Sequence, residues 1–389
     1  MPKFDFVEEK LADLKANSLL RRLNPVESVN GTIVQFCGNE SEKVLFCSND
    51  YLNIAGSDQV KTAVKQAVDK YGFGAGASRL ICGTLDIHTE VEKAFSRFLD
   101  TEVALLFNSG WTANEAVLRT LPQSGDIVLM DKLDHASIID AVKSSKAELR
   151  TFRRDNLSRC EKFLSDKRYR RKFIVTESVF SMDGDFADLK SLVGLKNTYD
   201  AILIVDEAHA LGCFGSKGAG LIEQSGLSGQ VDIIVAPLGK AFGAAGSVVA
   251  SEKPVIDYLI NKGRPFIYTT APPPANCAAV LAALDVIKTQ PQRRAKLAEN
   301  AAYLRDRLSG AGFDISASCS QIVPVIIGDN AETMRISAEL FDKGYFVSAI
   351  RPPTVENGRA RLRISVQYEH TKDQIDGLLE ALISSAKKS

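Results

Sequence analysis

From about residue 45 to 280, short apolar, β-branched runs alternate with stretches of helical period. The runs VALLFNS (103–109), DIVLMDK (126–132), LRTFRR (149–154), KFIVTESVF (172–180), AILIVDEA (201–208) and DIIVAPL (232–238) predict strands. Helical patterns near 111–121, 136–146, 157–167 and 187–198 lie between them. Strand and helix in alternation predict an α/β fold: a mostly parallel sheet with helices on both faces. Residues 5–22 read as an amphipathic N-terminal helix. After the break APPPAN (271–276), a long helix is expected over 277–310. Strands then follow at 322–329, 345–350 and 360–366, with helices near 331–343 and 371–386. This division predicts an N-terminal helix and arm (1–45), a large α/β domain (46–280) and a smaller α+β C-terminal domain (281–389).

Composition narrows the class. Apolar residues make up 45% of the 389 residues, charged residues 25%, and Lys plus Arg equal Asp plus Glu at 48 each. No basic stripe points to nucleic acid or to a membrane surface. Seven scattered cysteines, without a C-x-x-C pair, argue against a disulfide framework or a structural zinc site, and no metal is expected. The acidic, amphipathic start MPKFDFVEEKLADLK does not read as a signal peptide. The expectation is a cytoplasmic enzyme.

Candidate chemistry sits at the strand ends, where open α/β sheets place their ligands. Asp206 closes one apolar strand, and His209 follows it in VDEAH. By itself this acid is as readily a turn cap as a functional group. Lys240 lies among small residues in LGKAFG, after the next strand. A lone lysine there is more often a solvated surface group. Together the two suggest pyridoxal phosphate (PLP), which needs a lysine for its aldehyde and a carboxylate against its pyridine nitrogen. NSGWT (108–112) runs from a strand into a helix start, a natural phosphate site, with Gly110 allowing close approach. Trp111, taken alone, reads more readily as a core residue. His135, in DHAS after another strand, reads either as a ring stacked on the cofactor or as a helix-start residue without a ligand.

The segments FCSNDYL (46–52), GAGASRLICGT (74–84), ALLFNSGWTAN (104–114), DHAS (134–137), TESVFSMDGD (176–185), VDEAH (205–209), LGKAFG (238–243) and RPPTVENGRARLR (351–363) resemble the α-oxoamine synthases, PLP enzymes of fold type I. Within that family, IVPVIIGDN (322–330) and AIRPPTVENGRARLR (349–363) are most similar to the branch that makes 8-amino-7-oxononanoate for biotin. The resemblance implies decarboxylative condensation of L-alanine with a pimeloyl thioester, carried on coenzyme A or an acyl carrier protein. It also implies a homodimer with shared active sites.

Carried over residue by residue, the resemblance makes Lys240 the Schiff-base lysine and Asp206 the acid at the pyridine nitrogen. His209 and Ser181 fall near the cofactor's phenolic oxygen, and His135 is the stacking ring. Gly110 and Trp111 form the phosphate turn, and Asn49 and Glu177 lie near cofactor and substrate. Arg363 grips the amino-acid carboxylate, Arg21 and Thr354 face the acyl substrate, and Thr269 and Thr270 reach the neighbouring subunit's phosphate. Two features depart from the family pattern. Pro237 stands where a phosphate-binding Thr is usual, and Ala75 and Ala77 stand where Ser or Gly is common. Three rivals remain: a relative using glycine or serine with another acyl-CoA, an aminotransferase, and a non-catalytic partner subunit. Keeping Lys240, Asp206, His135 and His209 together argues against the last.

Overall fold

The structure, a computed structural model, describes residues 3–386; the side chains of Asn39 and Glu40 lie outside the description. The chain forms two compact units, one of residues 49–181 and 185–296 and the other of residues 1–48, 182–184 and 297–389.

The larger unit is built on a seven-stranded sheet. In spatial order its strands are Val103–Phe107, Ser247–Ser251, Ile233–Pro237, Ile202–Asp206, Lys172–Glu177, Ile127–Asp131 and Glu148–Phe152. The expected runs form strands, each trimmed by a residue or more at one or both ends. The sheet is mostly parallel, as expected. Ser247–Ser251 was not foreseen and runs antiparallel to both of its neighbours. The central strands are buried along nearly their whole length, which explains their continuous apolar character. Helices Gly110–Thr120 and Ala136–Lys143 and the strands they cover share one apolar core that includes Val117, Ile138, Val175 and Val235. Helices Asp58–Tyr71 and Asp86–Phe98, also unforeseen, belong to this unit.

The long helix expected over 277–310 is two helices, Pro274–Thr289 and Gln292–Gly310. Pro291 stands at the break; proline supplies no amide and its ring crowds the preceding turn.

The smaller unit holds two sheets. One orders Val26–Asn30, Ile33–Phe36, Asn39–Leu45 and Tyr345–Phe346; the other orders Ile322–Gly328, Ala360–Ser365 and Ser348–Ile350. The single strand expected at 345–350 therefore divides at Val347 and serves both sheets. The N-terminal helix spans only Asp5–Ala16, shorter than the expected 5–22. Asn17 caps it through Asp13, and Ser18 takes a left-handed φ of 56° that no helix continues. Among the described residues, no helix is long and apolar enough to cross a membrane.

Candidate active site

In the larger unit, adjacent parallel strands end at Glu177, Asp206 and Pro237. Glu177 pairs in register with Asp206, and Asp206 with Val235. Asp206 is buried. Its Oδ2 accepts from Asn114 Nδ2 at 2.9 Å and its Oδ1 from the Ala208 amide at 2.9 Å. Asn114, itself 1% exposed, also donates to Ser137 Oγ at 3.0 Å, and that hydroxyl lies 2.9 Å from His135 Nδ1. A chain of polar contacts thus joins Asp206 to His135. Nδ1 also accepts the Ser137 amide at 3.2 Å, which places the proton of the neutral ring on Nε2.

His135 caps the helix Ala136–Lys143, and Trp111 meets its ring edge-to-face at 6.4 Å. Its pKa is lowered, first by desolvation and further by Lys240, with Asp206 opposing. Glu177 is 2% exposed, and its Oε1 has no hydrogen-bond partner among the described residues. Burial, then the nearby Asp206 charge, raises its pKa, while Lys240 opposes the rise. Lys240 is half-buried and lies near enough to both groups for its charge to favour the ionised acid and disfavour the imidazolium.

Ser109 caps the helix Gly110–Thr120. Its hydroxyl accepts the Thr112 amide at 3.1 Å, and the Thr112 hydroxyl accepts the Ser109 amide at 3.1 Å. The Gly110 and Trp111 amides then begin the helix as first-turn donors without intrahelical acceptors. A Cβ at Gly110 would stand 3.0 Å from Pro237 Cγ. Pro237 is therefore seated against the helix start, where a side chain at position 110 would crowd its ring. Asn108 Nδ2 donates to Thr269 Oγ1 at 3.1 Å and to the Thr270 carbonyl at 2.9 Å, so within one chain both threonines lie beside this helix start.

His209 is buried, with Nδ1 at 2.7 Å from Tyr51 Oη, and Tyr51 donates to Asn49 Oδ1 at 3.1 Å. Ser181 is 8% exposed at the end of the TESVFS segment. The larger unit therefore carries eleven of the expected positions: Asn49, Gly110, Trp111, His135, Glu177, Ser181, Asp206, His209, Lys240, Thr269 and Thr270.

The other three lie in the smaller unit. Arg21 Nη2 donates to Thr354 Oγ1 at 3.3 Å, and both line a cavity of about 240 Å³ with Arg351. Arg363 is buried on the strand Ala360–Ser365 and donates to Ser365 Oγ at 2.7 Å. Asn114, Ser137 and Tyr51 were missed as site residues. Their signal was in the quoted motifs: Asn114 lies one helical turn after Gly110 in GWTAN, Ser137 in DHAS, and Tyr51 in FCSNDYL.

The donor set of the larger unit fits PLP. It offers an anchored carboxylate for a pyridinium N–H, an amine for an aldehyde, helix-start amides for a phosphate, and a buried, unpartnered Glu177 oxygen. Among the described residues, no cluster of His, Cys, Asp and Glu is arranged to hold a metal ion.

Residues 41–382 match the family model described as aminotransferase class I and II. An 8-amino-7-oxononanoate synthase from Anaeromyxobacter dehalogenans is 42% identical over 378 residues, 97% of this chain and 94% of that protein. Another, from Bacillus pumilus, is 39% identical over 389 residues, covering 100% of this chain and 99% of that protein. Among solved structures, a serine palmitoyltransferase variant from S. paucimobilis with bound PLP–myriocin aldimine matches with a TM-score of 0.93. It is 31% identical, and the match covers 99% of this chain and 98% of that one. With the strand-end carboxylates, the lysine and the capped helix start in this arrangement, the chain belongs to the aminotransferase class I and II family, as a PLP-dependent transferase of fold type I.

Proposed function

We propose that this chain is an 8-amino-7-oxononanoate synthase: it condenses L-alanine with a pimeloyl thioester, releasing CO2 and the free thiol carrier, in biotin biosynthesis. The observation that carries the reading is the in-register pair Glu177–Asp206 beside Lys240, in a chain 42% identical to a protein of that name over nearly its full length. PLP, when bound, supplies an electron sink for the negative charge developed at the alanine Cα. Lys240 would hold the cofactor's aldehyde carbon, and its free amine would serve as the base for the alanine Cα proton. Asp206, fixed by Asn114 and Ala208, would be the carboxylate partner of the pyridine nitrogen. His135 presents a ring for stacking; its lowered pKa favours the neutral form, which avoids a second cation beside Lys240. His209, oriented by Tyr51, and Ser181 serve the phenolic oxygen side. The Gly110 and Trp111 amides, with Thr269 and Thr270 of a neighbouring subunit, take the phosphate. Arg363 suits a carboxylate by its paired donors, and Arg21 and Thr354 suit the acyl arm.

A homodimer is part of this reading. Phe73, Leu80, Ile81 and Tyr268 of the larger unit are exposed apolar side chains of the kind a second copy would cover. So are coenzyme A or a carrier protein as acyl donor and a cytoplasmic location. The test is incubation with PLP, L-alanine and each pimeloyl thioester, with the product read by mass and borohydride reduction locating the modified lysine. Label on a lysine other than Lys240, or product only from serine or glycine, overturns the reading.

A further inference from the structure

We propose that Arg79 is a positioning residue for the phosphate end of the cofactor site, acting on the helix start at Gly110 through Glu92. The inference rests on the reading above that this helix start receives the phosphate. Arg79 is 8% exposed and donates from all three of its guanidinium nitrogens. Nη1 and Nη2 bind Glu92 Oε1 and Oε2 at 2.9 and 3.1 Å, and Nε donates to Thr84 Oγ1 at 3.0 Å. Thr84 returns a hydrogen bond to the Arg79 carbonyl at 2.6 Å. The planar fork is what makes three directed contacts from one side chain feasible; a lysine cannot reproduce it.

Glu92 does a second thing: its Oε1 accepts the Leu106 amide at 3.0 Å. Leu106 lies on Val103–Phe107, the edge strand of the seven-stranded sheet, and that strand runs directly into Asn108, the Ser109 cap and Gly110. The edge strand's outward amide is thus tied to Arg79. The neighbouring residue Ser78 bridges to Thr270, and the Ala77 carbonyl accepts the Ala271 amide at 3.0 Å. Asn108 closes the ring through its side-chain bonds to Thr269 and Thr270. Starting from Arg79, the circuit passes Glu92, Leu106, Asn108 and Thr270 and returns at Ser78. Segments 108–111 and 269–270, which in the reading above serve the phosphates of this subunit and of the neighbouring one respectively, are therefore held relative to each other by one largely buried ion pair and one exposed asparagine.

The experiment uses the full chain as wild type, Arg79→Lys, Asn108→Ala and the double variant. It measures PLP dissociation by absorption titration, melting of the cofactor-free protein, and turnover at saturating PLP. Wild-type reduction with borohydride comes first: if PLP does not label Lys240, the proposed function falls and this inference with it. Given that label, Arg79→Lys is expected to weaken PLP by about 10-fold, from loss of the charged fork. Turnover should recover at saturating PLP. Because both residues act on one circuit, the double variant should bind within about 2-fold of the weaker single variant, a non-additive result. A pair serving stability alone would lower the melting temperature and give multiplicative, independent effects on PLP. That result, or unchanged PLP affinity in Arg79→Lys, overturns the inference while leaving the proposed function standing. If Arg79→Lys does not fold, Thr84→Val removes the Nε acceptor and keeps the ion pair. It should shift PLP affinity in the same direction, and unchanged affinity in the folded Thr84→Val protein equally overturns the inference.

Discussion

Asn114 connects two parts of the site that sequence motifs treat separately. Its Nδ2 stands 2.9 Å from Asp206 Oδ2 and 3.0 Å from Ser137 Oγ, and Ser137 in turn meets His135. Removing that amide takes one of two identified donors from a buried carboxylate, leaving the Ala208 amide. A hydrogen bond to a charged group is worth roughly 1.5–3 kcal/mol, a factor of about 10 to 150. Two variants bracket the effect. In Asn114→Ala the vacated space approaches the size of a water molecule, which can donate in the amide's place, so the loss falls at the low end of that range. Asn114→Leu fills the space without a donor, and the loss falls at the high end. The assay is kcat at saturating PLP and both substrates, beside PLP affinity and thermal melting. The decrease should appear mainly in kcat, because Asp206 acts on the charge developed during the reaction. Folded variants that both turn over within about 2-fold of wild type would refute the argument, since a lost charged hydrogen bond of that strength must be visible.

Pro237→Thr restores a hydroxyl and an amide at the helix start; it should tighten PLP by about 10-fold with no change in substrate choice. PLP dissociation rates of the two proteins decide it, and weaker binding by the threonine variant would mean that the proline ring against Gly110 matters more than the missing donor. Arg363→Ala should raise the KM for L-alanine by about 10- to 100-fold while changing that for the acyl thioester far less; equal effects on both would remove the carboxylate role. His370 is buried with Nδ1 accepting the Gln367 amide and Nε2 near the Leu45 carbonyl, and burial pushes its pKa down to about 3. In the unfolded chain, where its pKa is near 6.5, it takes a proton that the folded state refuses. Its contribution is therefore complete above pH 6.5 and lost as pH falls toward 3, roughly 2 kcal/mol by pH 5. Urea unfolding of wild type and His370→Gln at pH 7 and pH 5 should show the wild type losing about that much more than the variant; equal losses would refute it.

What the sequence determined by itself is local and periodic. Continuous apolar runs such as ILIVD and IIVAP could only be strands buried on both faces, so the parallel sheet was legible. The acid after one run and the lysine after another were legible for the same reason, since side chains at strand ends face the ligand edge of such a sheet. The glycine after Asn108–Ser109 announced a helix start. Elements without a distinctive period were not legible. Ser247–Ser251 is as long as most strands of its sheet but, lying antiparallel between two of them, is assigned by its neighbours and not by its own pattern. The break at Pro291 was present in the letters, but the helical period on both sides masked it.

Only the tertiary structure decided which polar side chains act together. Asn114 and Asp206 are far apart in the chain, yet sheet register and helix packing bring them to 2.9 Å. Tyr51 reaches His209, and Arg79 reaches Glu92 and through it Leu106, by the same means. Hydrogen bonds of this kind depend on positions set within a few tenths of an ångström by packing across the core. No local propensity encodes them. The cost of burying a polar group is met only when its partner arrives from elsewhere in the fold. The same holds for Gly110, where a side chain would crowd a proline that lies far along the sequence and is brought beside it by the sheet.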